Sequence, residues 1–163
     1  MSELHRGDPL QVSIETATID GSGVARVDGQ VVFVPGALPG ERCSVRIAHV
    51  GRSAVFAQLL SVLTPSAHRV EPDCPYFPKC GGCALRHMDY AQELELKRAH
   101  VYNCLTRIGG QTLASLPITG AEQTDGYRNK VQVPVQEQNG KPVAGFFAGK
   151  THTVIPVAHC RIQ

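Results

Sequence analysis

A chain of 163 residues with 42% hydrophobic and 18% charged residues can bury a core, and that composition argues against global disorder. A formal net charge of +2 creates no global field for a polyanion, so any nucleic-acid surface has to be a local patch. The opening Met1-Ser2-Glu3-Leu4-His5-Arg6 lacks the layout of a signal peptide, and the longest apolar stretch, residues 53–63, is too short for a bilayer. A cytoplasmic chain with no membrane partner is therefore expected.

Residues 9–64 read as all β. Residues 11–19 alternate apolar and polar, Asp20-Gly21-Ser22-Gly23 is a turn, and 24–27 is a short strand. Asp28-Gly29 is a two-residue hairpin signal, because both central positions of a type I′ turn need positive φ. Residues 31–34 continue the hairpin, Pro35-Gly36 and Pro39-Gly40 break the chain, and 43–50 and 54–63 supply two more strands. Some five short strands with Gly/Pro turns predict a small closed or nearly closed barrel.

Residues 65–78 are proline-rich and end in crowded cysteines. A helix follows, with Asp89 as N-cap and Gln92 completing a capping box. Its predicted apolar stripe is Tyr90, Leu94, Val101, Leu105 and Ile108, and Gly109-Gly110 stops it. Strands return at 129–135, 143–147 and 151–157, with a turn at Asn139-Gly140. Three strands without a covering helix rarely stand alone, and the third segment is expected to be the incomplete front of a larger domain. The fold class is thus mainly β with one principal helix, in three segments: 1–65, 66–110 and 111–163.

Cys74, Cys80 and Cys83 crowd one loop, while Cys43, Cys104 and Cys160 stand apart. In a chain without an export signal, crowded thiols point to metal rather than to disulfides. Four thiolates are the ligand set of a cubane iron–sulfur cluster. Gly81-Gly82 would let the loop curl with positive φ and bring amides near the sulfurs. Zinc is the first alternative, since Cys80, Cys83 and His87 read C-x2-C-x3-H, although structural zinc prefers two close pairs. The bland reading is a set of ordinary buried thiols, which suits Cys43 and Cys104 better. His87 reads as a solvated histidine or one supporting the ligands.

Gly21-Ser22-Gly23-Val24-Ala25-Arg26, then Asp28-Gly29, Val32-Phe33-Val34-Pro35-Gly36 and Leu38-Pro39-Gly40-Glu41, resembles the TRAM domain, an RNA-binding barrel of the OB type. Cys74-Pro75-x4-Cys80-Gly81-Gly82-Cys83, with Ala158-His159-Cys160 and Gly126-Tyr127-Arg128-Asn129-Lys130, is similar to bacterial 23S rRNA (uracil-5-)-methyltransferases carrying an N-terminal TRAM domain. The resemblance runs from about residue 8 to the end.

That resemblance implies an OB-like barrel over 1–65, a cluster loop and helix over 66–110 and a partial central domain over 111–163. It implies a [4Fe-4S] cluster on Cys74, Cys80, Cys83 and Cys160, and 23S rRNA as partner. In the family a cysteine thiolate adds to C6 of uracil, and C5 then takes a methyl group from S-adenosylmethionine. The residues for that step lie in a Rossmann-like domain that these residues do not resemble, so no catalytic or S-adenosylmethionine-binding residue is expected here, and the chain alone is expected to be inactive. Arg26, Phe33, Arg46, Arg52, Tyr127, Arg128 and Lys130 are the candidate RNA contacts, by phosphate pairing or base stacking. Two other readings are a non-enzymatic RNA-binding module with a structural metal and, more weakly, a radical enzyme, whose C-x3-C-x2-C spacing is not met. Oligomeric state is not legible.

Overall fold

The computed structural model of the chain describes residues 4–163, and these form two compact units. Among the described residues the first comprises 4–70 with His87–Ile118, the second Glu71–Arg86 with Thr119–Gln163. The cysteine loop therefore groups with the C-terminal strands and the helix with the barrel, whereas the sequence-based segment 66–110 kept loop and helix together.

In the first unit six strands form one sheet: β1 (Pro9–Ser13), β2 (Thr16–Ala17), β3 (Ser22–Val27), β4 (Gln30–Pro35), β5 (Arg42–Val50) and β6 (Val55–Thr64). Their order is β1-β5-β6-β4-β3-β2, with β4 and β6 parallel and every other pair antiparallel. The two outer strands, β1 and β2, are separated in the chain by Ile14 and Glu15 alone. So short a link forces the sheet to curl until its edges meet, and the Ile14 N–H bonds Glu41 O while the Glu15 N–H bonds Val24 O across the seam. This closure removes edges that would otherwise pair with other chains.

The hairpin between β3 and β4 turns at Asp28 (φ 48°) and Gly29 (φ 83°), with Val27 facing Gln30. The predicted strand 11–19 is split, because the chain leaves β5 for β3 at the seam. Alternation fills the interior with Val12, Ala25, Val32, Val34, Val45, Ile47 and Val55, all within 4% of full burial. Each fully buried Val or Ile contributes about 1.5–3 kcal/mol. Gly23 is needed for close approach: a Cβ there would sit 2.8 Å from Ala37 O and 2.9 Å from Ile14 Cγ2.

One charged pair lies inside the wall. The Glu41 side chain is fully buried; it accepts from the Leu38 N–H (2.8 Å) and from Arg69 Nε (2.5 Å) and Nη2 (2.8 Å). Arg69 Nη2 also donates to Gly36 O at 2.7 Å, so the pair ties the segment after β6 to the β4–β5 turn. Burial pushes the Glu41 carboxyl up, but the Arg69 hydrogen bond and the backbone donors outweigh it, and its pKa falls below the ordinary range.

The helix α1 (Tyr90–Asn103) begins where expected, with Asp89 Oδ1 accepting from the Gln92 N–H at 2.8 Å. Its buried residue is Leu96, off the predicted stripe; Val101 and Leu105 are well exposed and Ile108 is 85% exposed. The helix also widens into a π-helical turn over Cys104–Ile108, closed by the Gly109 N–H on Cys104 O. That extra residue per turn rotates Leu105 and Ile108 off the face of Tyr90 and Leu94. Among the described residues no helix is long and apolar enough to cross a membrane.

The second unit carries a three-stranded antiparallel sheet, β7 (Val135–Gln138), β8 (Lys141–Phe147) and β9 (Val154–Pro156). Asn139 (φ 55°) and Gly140 (φ 76°) make its hairpin. The predicted strand 129–135 pairs only from Val135 onward, and residues 129–133 are exposed. β8 and β9 approach so closely at Gly145 that a Cβ there would overlap Ile155 O.

Candidate metal centre and nucleic-acid face

The second unit folds the cysteine loop onto the return between β8 and β9. Cys80 bridges to Ala148, the Gly81 N–H donates to Phe147 O at 2.9 Å, and the Gly149 N–H donates to Lys79 O at 3.3 Å. Neither Gly81 nor Gly82 has positive φ, contrary to the expected curl. Gly81 serves close approach instead: a Cβ would stand 3.0 Å from Gly149 Cα and 3.1 Å from Phe147 O. The Gly82 N–H does lie near a sulfur, 3.5 Å from Cys80 Sγ.

Cys74, Cys80, Cys83 and Cys160 line one cavity. Cys160 arrives after β9, where the Ala158 N–H donates to the Tyr76 hydroxyl at 3.1 Å and draws the chain onto the loop. Phe77, Phe146, Val157 and Ile162 make much of the remaining wall, and Arg86, Arg128 and Arg161 border it. Burial raises the Cys83 thiol above its ordinary pKa, partly offset by Arg86.

Around the cavity the charges form a closed ring. Arg86 donates to both oxygens of Asp73 (2.7 Å each) and to Asp125 (2.8 Å); Arg161 reaches Asp73 (3.0 Å) and Asp125 (2.5 Å). The Arg86 hydrogen bonds hold the Asp73 carboxyl down at about 2. Sequence reading missed this ring; the available signal was charge abutting cysteine, at Asp73-Cys74 and Cys160-Arg161.

Four cysteines lining one largely apolar cavity with arginines at its border match an iron–sulfur cluster in donor chemistry, since sulfur is the soft ligand that such a cluster takes. Among the described residues no three His, Cys, Asp or Glu side chains converge tightly enough for a single metal ion. A single zinc needs every thiolate about 2.3 Å from one centre. A cubane binds one thiolate per iron, so its thiolates stand around a larger body.

His87 belongs to the first unit, is 2% exposed and is not solvated as expected. Burial lowers its pKa to about 4, so it is neutral near pH 7. Cys43 is fully buried in the barrel, where burial raises its thiol to about 11. Cys104 is only half-buried, not a core residue as expected, because it opens the π-helical turn.

The candidate RNA contacts divide between the units. On the outer face of the barrel, Phe33 faces Phe56 across β4 and β6, and Phe56 faces His49 across β5. The two phenyl rings stack at 5.5 Å with 23° between planes, and His49 lies 6.3 Å from Phe56. Arg46 and Arg52 are exposed, and Arg26 pairs with Glu15 at 3.5 Å. Phe56 and His49 were not singled out in the sequence, because their partnership depends on strand register. In the second unit Tyr127 is 58% exposed, Lys130 is exposed, and Arg128 lines the cysteine cavity.

The TRAM domain family matches residues 3–60, the barrel just described. The whole chain aligns with an uncharacterized RNA methyltransferase of Halalkalibacterium halodurans at 42% identity over 161 residues, covering 98% of this chain and 35% of that protein. A second, from Listeria monocytogenes, is 40% identical over 162 residues, covering 99% and 36% respectively. The chain is thus similar to the TRAM domain over its barrel and, over nearly its whole length, to part of these bacterial RNA methyltransferases. It spans about a third of the length of the curated relatives it matches. Its fold is shared with the Pyrococcus abyssi tRNA (uracil-54, C5)-methyltransferase solved with S-adenosyl-L-homocysteine. That match has a TM-score of 0.60 at 23% identity, over 93% of this chain and 32% of the other.

Proposed function

We propose that these residues are the RNA-gripping and cluster-holding portion of an S-adenosylmethionine-dependent RNA (uracil-C5) methyltransferase acting on 23S rRNA in the cytoplasm. The observation that carries this reading is the alignment of nearly the entire chain with RNA methyltransferases, barrel and cysteine unit together. The solved neighbour methylates C5 of a uracil in tRNA, so tRNA is the competing substrate.

The barrel's part is to hold RNA. Phe33, Phe56 and His49 offer ring faces to unstacked bases, and Arg46 and Arg52 offer charge to phosphates. Tyr127 and Lys130 are proposed to add stacking and charge in the second unit. Arg26, tied to Glu15, is the weakest of the phosphate contacts, and Arg128 is proposed to serve the cysteine cavity. Cys74, Cys80, Cys83 and Cys160 would hold a [4Fe-4S] cluster. When bound, it supplies four strong iron–sulfur ligations that cross-link two distant chain segments. The methyl donor is proposed to bind in a part of the full-length relatives that these residues do not match.

The test has two parts. Purified without oxygen, the chain should be brown, with about four iron and four sulfide per chain; a colourless protein with stoichiometric zinc would replace the cluster by zinc. With labelled S-adenosylmethionine, the chain alone should methylate neither RNA, and a full-length relative should label 23S rRNA. Labelling of tRNA instead would change the substrate, and methyl transfer by the 163 residues alone would overturn the division of labour.

A further inference from the structure

The ring Asp73–Arg86–Asp125–Arg161 encloses more of the cysteine unit than its four residues suggest. Asp73 directly precedes Cys74, Arg161 directly follows Cys160, and Arg86 lies three residues after Cys83. Both guanidiniums engage both carboxylates, so no single chain segment can leave without breaking two contacts. Asp125 supplies the fourth corner, and its segment is laid along the Cys160 segment by the Gly126 N–H on Arg161 O (2.8 Å) and the Arg128 N–H on Ile162 O (3.0 Å).

Exposed ion pairs in isolation contribute little, but a closed network with a bidentate arginine and a side chain only 18% exposed, that of Arg86, is the exception. Arg86 and Arg161 also border the cavity that the four cysteines line, so the ring and the thiols share one wall.

We propose that this ring is a latch that positions the segments bearing Cys74, Cys83 and Cys160 before any cluster arrives, so that the apoprotein already presents its thiols together. The inference rests on the cluster reading for its purpose, but its geometry is testable without a cluster. Asp125 and Arg161 are positioning residues: they act on the ligands through the backbone that carries them.

The experiment compares the parent chain with Asp125→Asn, Arg161→Gln and the conservative Asp125→Glu. Glu95→Gln, which removes an exposed Glu95–Arg98 pair in the helix, is the control. On the metal-free chain, mild thiol oxidation followed by peptide mapping measures how fast Cys160 becomes linked to a loop cysteine. On the reconstituted chain, a chelator measures the rate of iron loss, well below the unfolding temperature.

Asp125→Asn and Arg161→Gln should slow the linkage and lose iron about tenfold faster, in line with the effect of removing groups that orient ligands. Asp125→Glu should recover most of both, and Glu95→Gln should change neither. Linkage at the parental rate in both ring variants would overturn the latch, whatever the metal. A parent chain without iron would remove the cluster reading, while slowed linkage in the variants would still establish the latch on the four thiols.

Discussion

The two units of this chain are held by different physics. The barrel buries a continuous apolar cluster from Val12 through Ala57. The second unit, of similar architectural ambition, has among its nearly buried apolar side chains little beyond Leu85, Val154 and Ile162. What it has instead is the four-residue ion ring, the backbone bonds that seat the cysteine loop on β8 and β9, and four thiols around one cavity. A small unit that cannot supply a core needs a staple. Under the cluster reading proposed above, a cluster there would serve as such a staple even with no redox step.

The largest effect is expected from removing that staple. Cys160→Ser, or iron removal by a chelator, should raise hydrogen exchange across residues 71–86 and 119–163 well above the parent's, though short of the unprotected limit because the ion ring still ties these segments together. The barrel strands should keep their protection. Cys43→Ser and Cys104→Ser should leave the iron content unchanged. Loss of protection in β3–β6 along with the second unit would mean that the units are not independent in stability.

A smaller effect, confined to the first unit, should follow from Arg69→Met. It leaves the fully buried Glu41 carboxylate without its counter-charge and Gly36 O without a donor. Breaking a buried pair by removing one partner costs about 3–5 kcal/mol, more than an exposed pair ever returns. Urea unfolding followed by barrel-specific exchange measures it; a loss under 1 kcal/mol would show that the carboxylate finds water.

The same unit should weaken in acid. His87 has a folded pKa of about 4 against an ordinary 6.5, so between these values the unfolded chain binds a proton that the folded chain refuses. Stability is therefore complete above about pH 6.5 and falls as pH drops toward 4, by about 2 kcal/mol at pH 5. Glu41 and Asp73 give up their contributions only as pH falls through their ordinary values of 4.5 and 3.8, below the range from pH 7 to pH 5. His87→Gln should flatten the profile between pH 7 and pH 5. An unchanged slope would assign it to another group.

The same contrast explains what the sequence made legible. Local chemistry could be read: Asp28-Gly29 and Asn139-Gly140 demand positive φ, Asp89 offers its oxygen to an amide three residues on, and alternation marks β4 and β5. Non-local placement could not. The 129–134 stretch alternates Val and Gln like a strand, but among the described residues only Val135 onward pairs. The helix stripe was misread because one π-helical turn breaks its period and Leu96 alone is buried. Ion pairs carry no period, so Glu41–Arg69 and the ring around the cysteines left no trace beyond charges beside Cys74 and Cys160. Gly81 was noticed for the wrong reason, since its need is space against Gly149 rather than positive φ.

The smallest expected effect concerns binding rather than stability, and it separates the units functionally. Phe56 is 45% exposed on the outer face of the barrel, so Phe56→Ala should cost little folding energy. Its ring is nonetheless held parallel to Phe33 and beside His49, an arrangement that presents a flat face at little further entropy cost. Stacking one base on such a ring is worth about 1–2 kcal/mol, or roughly five- to thirty-fold in affinity for a single-stranded RNA. Because stacking involves no ion release, the salt dependence of binding should keep its slope in Phe56→Ala, whereas Arg52→Ala should lower that slope by about one. Both changes should be visible equally in the parent chain and in Cys160→Ser, because the barrel does not need the second unit to keep its face. Fluorescence anisotropy with a short labelled oligonucleotide at three salt concentrations reads all of this. Parental affinity in Phe56→Ala would remove the aromatic row from the RNA surface. Loss of binding in Cys160→Ser alone would move the surface to the cysteine unit, where Tyr127 and Lys130 are exposed.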